Sequence, residues 1–161
     1  MVILFYSTKL TYMNIILTTH PQEQQTPLHI AIRTHNLAAI NFLLSVGADA
    51  NLASRDNYTP LHISSKEGPP EVVQVLLENG ADVTARTKRG FTPLHIAAKH
   101  NRIQVAQMLL EKDTADVNAA ARNGHTPLHM SVQCKHKEVG TNNFEKHFFI
   151  ASTFSPDCWV A

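Results

Sequence analysis

Apolar residues fall along the chain in short clusters at helical spacing, with polar stretches between them. Ile40, Leu43 and Leu44 form one cluster, Val72, Val75, Leu76 and Leu77 a second, and Val105, Met108, Leu109 and Leu110 a third. Spacings of three and four put each cluster on one face of a helix, and the Leu-Leu pairs are expected in the core. Gly47-Ala48-Asp49 and Gly80-Ala81-Asp82 follow the first two clusters. A glycine there takes the left-handed conformation that stops a helix. About ten residues rich in Asn, Asp, Arg and Gly come next, a composition of turns that carries the chain out and back.

Each polar stretch ends in the same four residues. Thr-Pro-Leu-His stands at Thr26 to His29, Thr59 to His62, Thr92 to His95 and Thr126 to His129, in steps of 33, 33 and 34 residues. The extra residue in the last step lies in the turn Glu111 to Val117, where a loop tolerates an insertion. Thr26, Thr59, Thr92 and Thr126 are N-caps, able to accept from a backbone N–H of the first turn. Pro27, Pro60, Pro93 and Pro127 follow at the first helical position, where a missing N–H costs nothing. These first helices are expected to end near His35, Gly68, Asn101 and Lys135, with Gly68 and Asn101 better suited to a left-handed stop than the other two. One such helix pair cannot bury its apolar face alone. Neighbours therefore stack, and the predicted fold is an all-α solenoid of helix-turn-helix units with projecting β-turn fingers.

A 33-residue period with a Thr-Pro-Leu-His-x-Ala signature resembles the ankyrin-repeat family. The resemblance runs over residues 22–139, as three complete units and a truncated fourth, between flanks at 1–21 and 140–161. More narrowly, Glu23 to Ala31, Asp56 to Ser64 and Lys88 to Lys99 look like the membrane-binding repeats of the spectrin-linked ankyrin adaptors. That resemblance implies a cytoplasmic scaffold at the membrane skeleton, holding an extended cytoplasmic segment of a membrane or cytoskeletal protein. It implies no cofactor and no small-molecule substrate. Beyond Val139 nothing is similar to a spectrin-binding module, so a direct spectrin link is not carried over. A soluble regulator masking a signalling or nuclear partner would share the fold.

The pattern fails in the fourth unit, where Asn143-Phe144 replaces the Leu pair after Gly140. Phe144 and Phe148, one helical turn apart, could still cap the open end of the stack. Both flanks break off from repeat-like sequence, so the chain reads as a piece of a longer array, or as a gene model running into non-coding sequence. Met1 to Leu17 is apolar in part, but it lacks a basic start and is interrupted at Ser7-Thr8-Lys9, which argues against a signal peptide or a membrane span.

Composition narrows the chemistry. Fourteen Lys and Arg against thirteen Asp and Glu leave +1, which gives no general attraction to nucleic acid. Cys134 and Cys158 are the only cysteines and form no metal-knuckle spacing. His29, His62, His95 and His129 are expected to bond the Thr hydroxyl or backbone at the helix start. Stacked helices about 8–10 Å apart do not bring two imidazoles onto one zinc. Cys134 and His136 lie two apart near a helix and do not face each other, so they make no nucleophile and base. In a solenoid the fingers and first helices line one concave face. The expected protein contacts are therefore Arg55, Asp56, Tyr58, Arg86, Lys88, Arg89, Phe91, Arg122, Asn123 and His125 from the fingers. Arg33, Lys66, Glu67, Lys99, His100 and Gln133 join them from the first helices. Arg86, Lys88, Arg89, Lys99 and Arg102 gather as a basic group that could meet an acidic peptide or phosphate.

Overall fold

A computed structural model describes residues 24–134. Among them are seven helices and no strand: α1 (Pro27–Arg33), α2 (Leu37–Ser45), α3 (Pro60–Glu67), α4 (Pro70–Glu78), α5 (Pro93–Lys99), α6 (Ile103–Leu110) and α7 (Pro127–Gln133). The odd-numbered helices form an inner layer in which α1 packs on α3, α3 on α5 and α5 on α7. The even-numbered helices form an outer layer, each packed on its own unit's inner helix. The residues expected after the fourth inner helix, including Gly140, Phe144 and Phe148, lie outside the described part, as do both flanks and His136.

Every inner helix begins at the proline of a Thr-Pro pair, with the Thr extended at ψ between 163° and 168° as an N-cap requires. Two outer helices stop as expected. In α2 the Gly47 amide donates to the Leu44 carbonyl and the Ala48 amide to Leu43; in α4 Gly80 donates to Leu77 and Ala81 to Leu76. This paired closure needs a left-handed residue, and Gly47 and Gly80 supply φ of +87° and +78°. The third outer helix has no glycine at this place, and there Lys112 donates to Leu109 before the one-residue insertion.

Inner-helix ends differ from expectation in two places. His35 adopts the left-handed conformation with φ of 54°, as Asn101 does. Gly68 instead is extended at φ −72° and ψ 152°. Pro69 explains this, because the ring of a following proline excludes the helical region and pushes the residue before it to extended backbone. Gly68 is still needed for space: a Cβ there would lie 2.9 Å from the Cα and carbonyl oxygen of Ser64. Its carbonyl accepts from the guanidinium of Arg102, the residue preceding α6 in the next unit.

The core is one strip running through the stack. Leu28, Ile32, Ile40, Leu61, Val72, Leu76, Leu94, Val105 and Leu109 are buried in it. Of each Leu-Leu pair one member, Leu44, Leu76 or Leu109, is buried, while Leu43, Leu77 and Leu110 are half-buried against it. Helix periodicity requires this, since adjacent residues point about 100° apart and cannot both face one seam.

The fingers repeat as closely as the helices. In three of them a residue in the ascending arm donates to the carbonyl before the next Thr: Ser54 to Tyr58, Thr87 to Phe91 and Ala121 to His125, all at 2.9 Å. The turn between needs one left-handed residue, and Gln24, Asn57, Gly90 and Gly124 all have positive φ at that place. Neighbouring fingers are stitched together where the Lys88 amide donates to the Asp56 carbonyl and the Arg122 amide to the Arg89 carbonyl, each at 3.0 Å. Gly90 sits against this second stitch, and a Cβ on it would approach the Arg122 nitrogen to 2.9 Å.

Gly90→Ala is therefore expected to destabilise the stack by about 2–3 kcal/mol, from left-handed strain and the loss of finger stacking together. At Gly47, where no atom lies within 4 Å of an added Cβ, the same change should cost only the strain, about 1 kcal/mol. Denaturant unfolding of the full chain separates the two; equal losses would remove the steric role assigned to Gly90.

Candidate functional site

The inner helices and fingers enclose a groove of about 820 Å³. Eleven of the residues expected on the concave face line it: Arg33, Arg55, Asp56, Tyr58, Lys66, Glu67, Lys88, Arg89, Phe91, Lys99 and His100. Gln25, Ser54, Ile63 and Ile96 complete it. Ile63 and Ile96 went unread because they directly follow the histidine of the motif and look like scaffold. The available signal was a position that stays apolar from unit to unit, two residues along the helix from the core-facing Leu.

The other expected contacts stand apart. Arg122, Asn123, His125 and Gln133 belong to the fourth unit and do not line this groove. Arg86 turns away from it, donating to the Ala120 carbonyl at 2.8 Å and to Gly90 at 3.5 Å, so it ties two fingers together instead of facing a partner. The basic group read from sequence is thus divided: Lys88, Arg89 and Lys99 face the groove, whereas Arg86 and Arg102 serve carbonyls between units. The physical reason is that backbone oxygens left over at finger and helix ends take the nearest guanidinium donors.

Charge is unevenly distributed. Six cations and two carboxylates line the groove, a net of +4, whereas the remaining described residues hold four cations and seven carboxylates, a net of −3. Lys66 pairs with Glu67 at 2.7 Å and Lys88 with Asp56 at 3.4 Å. The Lys66 hydrogen bond holds the Glu67 carboxyl below its usual range. Partial burial, reinforced by the Lys66 and Lys99 charges, holds the His100 imidazole below its ordinary value.

Beneath the groove the motif histidines do structural work. His29 receives at Nδ1 the Thr26 amide at 3.2 Å and lies 2.7 Å from the Thr26 hydroxyl; its Nε2 donates to the Tyr58 carbonyl of the next unit at 2.9 Å. His62 repeats this with Thr59 and the Phe91 carbonyl, and His95 with Thr92 and the His125 carbonyl, the cross-unit bonds being 3.0 Å. A backbone amide can only donate, so Nδ1 must be the bare nitrogen and the proton sits on Nε2. Both nitrogens of these three rings are thereby committed to protein partners. His129 keeps the Thr126 bonds but is exposed. Tyr58 and Phe91 rest on the imidazoles of their own units at 5.7 Å between ring centroids, and His125 stacks on His129 at 5.9 Å. Those aromatics therefore pack the finger base, and Tyr58 and Phe91 also line the groove.

A layered stack of capped helix pairs with a finger-edged groove defines a repeat solenoid, a class that presents surface instead of enclosing a reaction chamber. A family model for ankyrin repeats in three copies matches residues 4–87, and one for ankyrin repeats in many copies matches residues 65–110 and 97–139. The chain belongs to the ankyrin-repeat family, whose members are generally non-catalytic modules for protein–protein interaction. No curated protein gives a significant match. Among the described residues no group of three or more His, Cys, Asp or Glu is arranged to hold a metal ion, and Cys134 is a partly buried free thiol.

The buried histidines make stability depend on acid. Burial lowers His62 from 6.5 to about 4, and lowers His29 and His95 in the same direction, each opposed by the bond to the next unit's carbonyl. An unfolded histidine takes up a proton near 6.5 while the folded one resists it, so this contribution is complete above pH 6.5 and declines as pH falls toward 4. His62 alone should remove about 2 kcal/mol of stability between pH 7.5 and 5. Urea unfolding at those two pH values tests it, and equal midpoints would refute the neutral capping role.

Proposed function

We propose that this chain is a non-catalytic protein-binding module whose groove holds an extended segment of a partner protein. The groove supports this reading: its lining changes in charge and shape between units while the Thr-Pro-x-His frame beneath it repeats. Position by position, Arg55 becomes Lys88, Asp56 becomes Arg89, Tyr58 becomes Phe91 and Glu67 becomes His100. A fixed frame with a varied face is how a solenoid specifies a partner. Arg33, Arg55, Lys88, Arg89 and Lys99 are exposed there, offering long side chains that can reach a bound chain.

Within the family, the favoured reading is an adaptor similar to the membrane-binding repeats of spectrin-linked ankyrins, acting in the cytoplasm at the membrane skeleton. The segments Asp56 to Ser64 and Lys88 to Lys99 support it by their likeness to those repeats. No helix among the described residues is long and apolar enough to cross a membrane. Direct spectrin binding is not part of the proposal.

Replacing Lys88 and Arg89 together by Ala in the full chain should weaken capture of its partner by about tenfold, since close polar contacts at an interface are lost without altering buried core. The measurement is a pull-down from membrane-skeleton extract with quantified affinity, alongside circular dichroism to verify the fold. Unchanged affinity would move the interface off this face, and capture of nuclear or signalling partners alone would replace the adaptor reading.

A further inference from the structure

The groove's cations are ordered as well as numerous. Arg33, Lys66 and Lys99 recur at intervals of 33 residues, each at or one residue from the end of its inner helix, and all three are exposed and line the groove. Because α1, α3 and α5 pack side by side, these side chains form a ladder whose rungs are one interhelix distance apart, about 8–10 Å. The next equivalent position is Gln133, so the ladder ends where the groove ends.

An extended strand matches that spacing poorly, because its side chains return to one face every second residue, about 7 Å apart. A polyproline II segment rises about 3.1 Å per residue with three residues per turn, so one face repeats every 9 Å or so. We propose that the groove takes an acidic segment in polyproline II conformation, with carboxylates at every third residue set against Arg33, Lys66 and Lys99. This rests on the reading of the groove as the binding face and names the chemistry of its occupant. The net charge of +4 in the lining, within a described surface otherwise at −3, supplies the complementarity. The finger beside the Lys99 rung carries two cations, Lys88 and Arg89, of which Lys88 also reaches Asp56 at 3.4 Å, whereas the finger beside Lys66 carries one cation, Arg55, and the Asp56 carboxylate. The acidic density of the partner should therefore be greatest over the third unit. Asp56 and Glu67 within the same lining oppose a uniformly charged polynucleotide, which would place phosphates against both.

Fluorescence anisotropy on the full chain tests this with three labelled nonapeptides: Glu-Pro-Pro repeated three times, the same with Gln for Glu, and one of the first composition with its three Glu adjacent. The first is expected to bind at least about tenfold tighter than the other two, to weaken on raising salt, and to lose about tenfold with Lys66→Glu/Lys99→Glu. Lys66→Gln/Lys99→Gln should weaken it less, which guards against a charge-reversed variant that fails to fold. Equal binding of the Gln peptide, still reduced by Lys88→Ala/Arg89→Ala, would overturn the acidic occupant and leave the groove as the binding face. Equal binding of the clustered peptide would overturn the three-residue spacing. Tighter binding of single-stranded DNA, or no binding of the first peptide, would overturn the proposal outright.

Discussion

In each of the first three units one imidazole joins two levels of structure. Through Nδ1 it closes the start of its own helix, and through Nε2 it holds the carbonyl at the base of the next finger. The two bonds share a single neutral ring, so a local event, helix capping, is coupled to a long-range one, docking of the next unit. The pairs His29 with Tyr58 and His62 with Phe91 span 29 residues. With no charge on the ring, it can be buried completely, as His29, His62 and His95 are. A charged ring would lose the Nδ1 acceptor site and meet a large desolvation cost.

From this frame follows the freedom of the face above it. Finger backbones are paired by amide-to-carbonyl bonds at Lys88 with Asp56 and Arg122 with Arg89, which use no side chain. The side chains at those same positions are therefore released to differ between units. Stability resides in the backbone, the histidines and the apolar strip, and variation between units resides in what projects from them. Glycine marks the place where these two demands meet: Gly90 supplies the turn and clears the approach of the Arg122 amide. Asn57 makes the turn in the preceding finger without needing to be glycine.

Much of the architecture was legible because its determinants are local. Thr-Pro at a helix start, glycine after an outer helix, and apolar residues three and four apart each act within a few residues, and repetition made them unmistakable. Left-handed stops were legible only in part. His35 takes a conformation usually left to Gly or Asn, and Gly68 declines it because of the proline that follows. Eleven of the sixteen expected face residues share the groove, since their register within the repeat places them on the fingers and inner helices.

By itself the sequence determined the repeat, the capped inner helices, the core seam and the composition of the face, because each depends on spacing along one chain. Only the tertiary structure decided how neighbouring units divide the side chains between scaffold and surface. Arg86 and Arg102 resemble Lys88 and Lys99 in composition, yet they reach carbonyls of adjacent units, at Ala120 and Gly68. The histidines' second partners, the pairing of fingers and the concentration of positive charge in one groove likewise arise from stacking. Residues about one repeat apart meet there, and a linear reading of spacing holds no measure of where the leftover backbone carbonyls will lie.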